Sequence, residues 1–191
     1  IKSIEPKSIE YIKPFIGAQE FLNGQEKYCY WFENVNPKDW GLMPLAIQKV
    51  KAVENLRGLP KQDVIILAVK AHQVEPVIDD LVAALGPETI LIPMQNGIPW
   101  WYFQKLNSKY KDHAVDTVDP GGVVMRAISP DNIIGCVVYP ATITQGPGVI
   151  RHVEGVRFPL GELDGKTTER IQKISDVMGA AGFKSPVTNL I

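Results

Sequence analysis

One stretch constrains the fold of this chain more than any other, the passage from Val64 to Met94. Val64–Val69 (VIILAV) is an uninterrupted apolar run of strand length. Such a run is expected of a parallel strand covered on both faces. Val74, Val77, Ile78, Leu81, Val82 and Leu85 follow at steps of 3, 1, 3, 1 and 3, which lays a single apolar stripe on a helix. Gly86-Pro87 stops that helix, and Thr89–Met94 (TILIPM) is a second apolar run. Strand, helix, strand in this order make a βαβ unit, a crossover that is nearly always right-handed. The pattern predicts adjacent parallel strands over 64–69 and 89–94, with a helix over 73–85 crossing between them.

Further along, Trp100–Leu106 reads as a short helix, and Asn132–Val138 and Gly148–Val153 read as strands with a turn at Gly146-Pro147-Gly148. Thr167–Ala181 reads as a helix with Ile171, Ile174, Val177 and Met178 facing inward, and Gly182 is placed to end it. Pro186–Ile191 begins another element. Residues 1–57 differ in texture: aromatic residues crowd the span from Tyr11 to Trp40, and Pro6, Pro14, Pro37 and Pro44 cut it into short pieces. Lys27–Phe32 reads as a strand after an Asn23-Gly24 turn, Asn36-Pro37 as a capped helix start, and Pro44–Leu56 as a helix. The class is α/β, with a parallel sheet in 58–191 and a short α+β segment in 1–57.

Composition narrows the function classes. A formal net charge of -1 over 191 residues provides no global basic field for nucleic acid. The two cysteines, Cys29 and Cys136, lie far apart with no CxxC or Cys/His cluster, so no metal site is expected and the thiols read as free and packed. No apolar run of about 18 residues and no signal peptide is present. The expectation is a soluble, cytoplasmic protein with no membrane partner. The chain begins at Ile1 rather than Met, as a processed, cut or partial reading of a longer gene would.

Two residues stand where an open α/β sheet binds ligands, outside the carboxyl ends of its strands. Lys70 follows the first strand and can meet a phosphate, ribose or carboxylate, or simply be solvated there. Asn96 follows the second and offers an amide donor and acceptor, or simply forms an Asn-Gly turn with Gly97. Together they would face one crevice. No GxGxxG follows any strand; Gly121-Gly122 and Gly146-Pro147-Gly148 lack that spacing. His72 has no second histidine at metal spacing. The Trp100–Phe103 cluster reads as core and rim packing rather than a stacking surface. His152 and Glu154 share a strand face, as an acid/base pair or as a cross-strand polar face. These patterns alone say "ligand-binding α/β domain".

Several stretches taken in order say more. DVIILAVKAHQ (Asp63–Gln73), QNGIPWWYF (Gln95–Phe103), DPGG (Asp119–Gly122), IGCVVYPA (Ile134–Ala141), GVIRHVEGVRFPLGE (Gly148–Glu162) and AAGFKSPV (Ala180–Val187) resemble the ketopantoate reductases (2-dehydropantoate 2-reductases). The resemblance covers residues 58–191. It implies a Rossmann-like domain that uses NADP, with NADPH reducing 2-dehydropantoate, a small 2-keto acid, in pantothenate synthesis. It implies a cofactor-side lysine at Lys70, a cofactor-side polar residue at Gln73, an asparagine beside the nicotinamide ribose at Asn96, and a backbone contact at Ala141.

The departures from that family are equally specific. Its opening strand and glycine-rich turn, which hold the pyrophosphate at a helix N-terminus, have no counterpart before Gly58. The resemblance places the catalytic lysine beyond Ile191, so no catalytic residue is assigned, and Lys70 is auxiliary. Residues 1–57 instead resemble, through YIKPFIGAQEFLNGQEKYCYWF (Tyr11–Phe32) and MPLAIQKVKAVENLR (Met43–Arg57), a restriction–modification type DNA methyltransferase near its target-recognition region. Asn36-Pro37 is followed by Lys38, so it is not that family's catalytic motif. The expectation is an incomplete, inactive reductase-like domain over 58–191, with 1–57 a separate DNA-methyltransferase-like segment. The alternative is a DNA-modifying fragment with an unrelated reductase tail. A third reading is that no natural function joins the two, the pieces having been fused by assembly, rearrangement or construction.

Overall fold

The carboxyl-edge geometry begins with a parallel pair. In the computed structural model, β3 (Val64–Leu67) lies beside β4 (Ile90–Pro93), with Val64 opposite Ile90 and Leu67 opposite Pro93. The structure describes the backbone of residues 12–15 and 27–30, residue 53, and residues 55–146 and 149–191. The chain divides into two compact units, one of Ile1–Glu54 with Pro140–Val156 and the other of Asn55–Tyr139 with Arg157–Ile191. The Asn23-Gly24 turn, the Asn36 cap, most of the helix expected over 44–56 and the Pro147-Gly148 turn lie outside the described residues.

In the larger unit the connection between β3 and β4 is helical, but less so than the stripe suggests. Two 3-10 turns, Ala71–Gln73 and Glu75–Val77, precede the helix α1 (Ile78–Ala84). Pro76 sits in the second turn, where its missing N–H is no loss. The sheet continues from β4 through a parallel bridge between Leu91 and Ile133 into β5 (Ile134–Cys136). β5 pairs antiparallel with β8 (Leu160–Glu162), and Leu160 bridges in parallel to Val187. The element expected from Pro186 is thus a short extended run beside β8.

Successive strand residues point to opposite faces, and the core divides accordingly. Leu67, Leu91 and Ile133 pack with Val74 and Leu81 of the crossover, with Trp100 and Trp101, and with Val124 of α2 (Val123–Ala127). Ile92, Ile134, Cys136 and Leu160 pack on the other face with Ile171, Ile174 and Met178 of α3 (Glu169–Ala180). Each fully buried Leu or Ile contributes roughly 1.5–3 kcal/mol by leaving water.

Three expectations need correction. β3 is not buried on both faces: Val64 is 41% and Ile66 55% exposed, because α3 packs on β4, β5 and β8 rather than on β3. Val177 is 67% exposed; the true inward stripe is Ile171, Ile174 and Met178, and Val177 falls beside it. Trp100–Leu106 forms turns rather than a helix, with Lys105 at φ +57, a value no helix admits.

The α3 ends are as the sequence suggests. Thr168 caps the start, its hydroxyl accepting from Ile171 N–H. At the other end Phe183 N–H reaches the Met178 carbonyl and Gly182 N–H reaches that of Gly179, at 2.9 Å each. This is a Schellman closure, and Gly182 holds φ +91 there.

In the smaller unit, β1 (Ile12–Phe15) pairs antiparallel with β2 (Lys27–Tyr30). β6 (Ala141–Gly146) pairs antiparallel with β7 (Val149–Glu154), with irregular register near each end of β6. β6 was not among the expected strands, although its alternating Thr142 and Thr144 before a Gly-Pro-Gly turn carry a hairpin signal.

Candidate functional site

The equal register of β3 and β4 decides where the candidate residues fall. Leu67 is opposite Pro93, so Lys70 and Asn96 each stand three residues past the end of a paired parallel strand. Both therefore emerge beyond the same edge of the sheet. Lys70 is exposed and extended, at φ -66 and ψ 153. Its ammonium has no ion-pair partner among the described residues. Asn96 is exposed, and Gly97 follows at φ +98, a conformation that glycine adopts freely and that turns the chain sharply out of the strand.

Beside Asn96 lies a cavity of about 190 Å³ at the carboxyl ends of β4 and β5. Gln95, Asn96 and Gly97 form one side; Pro99, Trp101 and Tyr102 form another; Cys136, Val137 and Ile191 complete it. An apolar concavity with a few amide groups at its rim is the usual make-up of a small-ligand site. Burial pushes the Cys136 thiol up to about 11, so it remains an uncharged packing group at neutral pH. Lys70 shares the edge but does not line the cavity.

Gln73 is tied to Lys70 through two hydrogen bonds. Its side-chain carbonyl accepts the Lys70 N–H at 3.0 Å, and its own N–H reaches the Lys70 carbonyl at 2.8 Å. Gln95, which was not singled out from the sequence, donates its amide Nε2 to the Val69 carbonyl at 2.6 Å. Its only sequence signal was its place at the end of β4, matching Val69 after β3. Ala141 opens β6 and belongs to the other compact unit. His72 is exposed. His152 directs Nε2 to the Gly155 carbonyl rather than to Glu154.

Away from this edge one group of charges is consumed internally. Arg170 Nε donates to Glu162 Oε1 at 2.7 Å, and its terminal nitrogens reach Glu162 Oε2 and the Asp131 carbonyl. The Thr168 hydroxyl donates to the same Glu162 oxygen at 2.5 Å. Burial pushes the Glu162 carboxyl up, but the Arg170 and Thr168 hydrogen bonds outweigh it and hold the group below its usual range. Lys105 pairs with Asp131 at 2.6 Å. Among the described residues no cluster of His, Cys, Asp and Glu is arranged to hold a metal, and no helix is long and apolar enough to cross a membrane.

Comparison with known proteins gives two similarities. Residues 1–93 match the family model described as the MmeI target recognition domain. The chain is 43% identical over 138 residues to a 2-dehydropantoate 2-reductase of Mesorhizobium japonicum, covering 72% of this chain and 42% of that protein. A crystal structure assigned as a ketopantoate reductase, from Ralstonia solanacearum MolK2, superposes with a TM-score of 0.67 at 35% identity, covering 73% of this chain and 43% of that one. A 2-dehydropantoate 2-reductase of Porphyromonas gingivalis W83, at 17% identity and a TM-score of 0.51, shares the fold over 72% of this chain and 41% of its own. The chain thus spans about two-fifths of the length of the relatives it matches. A 138-residue match is longer than the stretch after residue 93, so the two similarities overlap. Over the larger part of its length this chain is homologous to the ketopantoate reductases, and over residues 1–93 it matches the target recognition domain of MmeI.

Proposed function

We propose that residues 58–191 are part of a Rossmann-like, NADP-using reductase domain whose cofactor meets the carboxyl edge of β3 and β4, and that residues 1–57 are a distinct segment of DNA-methyltransferase descent. The observation that carries the reading is the placement of Lys70 and Asn96 at equivalent positions past two paired parallel strands, with Asn96 lining a largely apolar cavity. The residues present fit the nicotinamide end of the cofactor. Lys70 brings a cation with no ion-pair partner among the described residues, Asn96 brings a donor and an acceptor suited to a ribose, and the cavity offers an apolar wall to one side of a flat ring. They do not supply a diphosphate cradle, since no glycine-rich strand-to-helix turn occurs in the sequence.

When bound, NADPH would supply a hydride for the carbonyl carbon of a 2-keto acid such as 2-dehydropantoate. Lys70 would contribute positive charge near that end and Asn96 would hold the sugar, with Gln73 supporting Lys70 from the same connection. A proton for the carbonyl oxygen needs a positioned acid, worth roughly 10²–10⁴-fold in rate, and no described residue stands over the cavity in that role. Weak cofactor binding without turnover of ketopantoate is therefore expected of this 191-residue chain. Titrating NADPH into the chain by fluorescence, with Lys70→Ala and Asn96→Ala alongside, tests the reading: both substitutions should weaken binding. Two silent substitutions, or enzyme-like oxidation of NADPH with ketopantoate, would overturn it.

The match of residues 1–93 to a target recognition domain favours a second reading, DNA recognition by the N-terminal segment. A mobility-shift assay with duplex DNA, at two salt concentrations, tests it. No retention at the lower salt rejects it.

A further inference from the structure

Both polar ends of a single peptide group at the candidate site are held by side chains. The carbonyl of Val69 and the N–H of Lys70 belong to the same planar peptide. Gln95 Nε2 donates to that carbonyl at 2.6 Å, and Gln73 Oε1 accepts from that N–H at 3.0 Å. One glutamine comes from the connection after β4, the other from the 3-10 turn after β3. The plane cannot rotate without breaking at least one of these bonds. Its orientation sets the direction in which the Lys70 side chain leaves the backbone. Gln95 also immediately precedes Asn96, so the same bond links the two strand-end connections across the edge.

We propose that Gln95 is a positioning residue, which together with Gln73 pins the Val69–Lys70 peptide and so fixes Lys70 relative to Asn96 for an anionic nucleotide ligand. This rests on the cofactor reading above, but it assigns a role to Gln95 that the reading does not need. Gln73 acts here as a support for Lys70 and not first as a ligand contact. A glutamine at position 95 is required because its side chain carries an amide donor at a length that spans the two connections. Methionine has nearly the same shape and lacks the donor.

The experiment is a double-mutant cycle on the full 191-residue chain, with NADPH as the probe. Gln95→Met should weaken NADPH binding about three- to tenfold, the worth of one well-made hydrogen bond. In a Lys70→Ala background the same change should have a clearly smaller effect, because only Asn96 is then left to position. An equal loss in both backgrounds would mean that Gln95 supports the fold alone and would overturn the proposal. Silence of Lys70→Ala and Asn96→Ala would instead sink the cofactor reading. The positioning role is then decided without ligand, by backbone ¹⁵N relaxation. Gln95→Met should lower the order of the Lys70 and Asn96 amides and leave those of α3 unchanged. Unaltered order at Lys70 rejects the role, as does a loss of order spread evenly through α3.

Discussion

The two ends of the sheet in the larger unit handle their polar groups in opposite ways. Around β8 and α3, Glu162, Arg170, Thr168 and Asp131 satisfy one another, and the helix is closed at both termini. Around β3, side-chain amides are spent on holding backbone, Lys70 has no ion-pair partner among the described residues, and Val64 and Ile66 face outward. The first arrangement is what a scaffold requires, since a buried charge is tolerated only when it is paired. The second leaves a cation and an apolar concavity available to something else. The contrast is between a buried carboxylate fully paired at Glu162 and an exposed lysine with no ion-pair partner among the described residues at Lys70.

The largest effect should come from breaking the consumed side. Glu162→Ala removes the partner of a half-buried guanidinium and should destabilise the larger unit by roughly 3 kcal/mol, read as a shift in urea midpoint. A loss under about 1 kcal/mol would put the pair on the footing of a surface ion pair and erase the contrast. The same group gives a pH signature. Its folded pKa is depressed, so the unfolded state binds the proton more readily and stability rises with pH. That contribution is fully present above the ordinary carboxylate range and is lost as pH falls through the depressed folded value. An acid titration of stability should therefore be shallower in Glu162→Gln than in the parent chain.

Adjacent residues of β3 sharpen the comparison from the other side. Leu67→Ala, at a side chain 6% exposed, should destabilise by roughly 2–3 kcal/mol, whereas Ile66→Thr should stay within about 0.5 kcal/mol. Similar losses at both would mean that the outward face of β3 is covered in solution. Between these lies Gly182→Ala. An added Cβ would meet nothing within 4 Å, so only the left-handed backbone matters, at about 1 kcal/mol. Thermal unfolding measures all three on one scale.

The central βαβ unit was legible because its apolar runs and stripe are local and strong. The coverage of β3 was not, since it depends on where α3, about a hundred residues on, comes to rest. The aromatic run at Trp100 was read as a helix because its apolar density resembles one; two buried indoles and a left-handed Lys105 turn it aside instead. At the edge, strand ends alone are enough to place Lys70 and Asn96 past the same two strands. Gln95 escaped because its partner, the Val69 carbonyl, is a backbone atom 26 residues away. The tie of Gln73 to the Lys70 backbone was not legible either, since it depends on the fold of the turn between them.

The antiparallel entry of β8 has a consequence of its own. Helpful dipoles and loop openings gather where parallel strands end together, and β8 runs the opposite way beside β5. The rim on which a ligand can settle therefore stops at β5, and among the described strands it is three wide, from β3 to β5. At a spacing of about 4.8 Å between neighbours, that is a shelf about 10 Å across. A shelf of that width has room for one ring with its sugar laid flat.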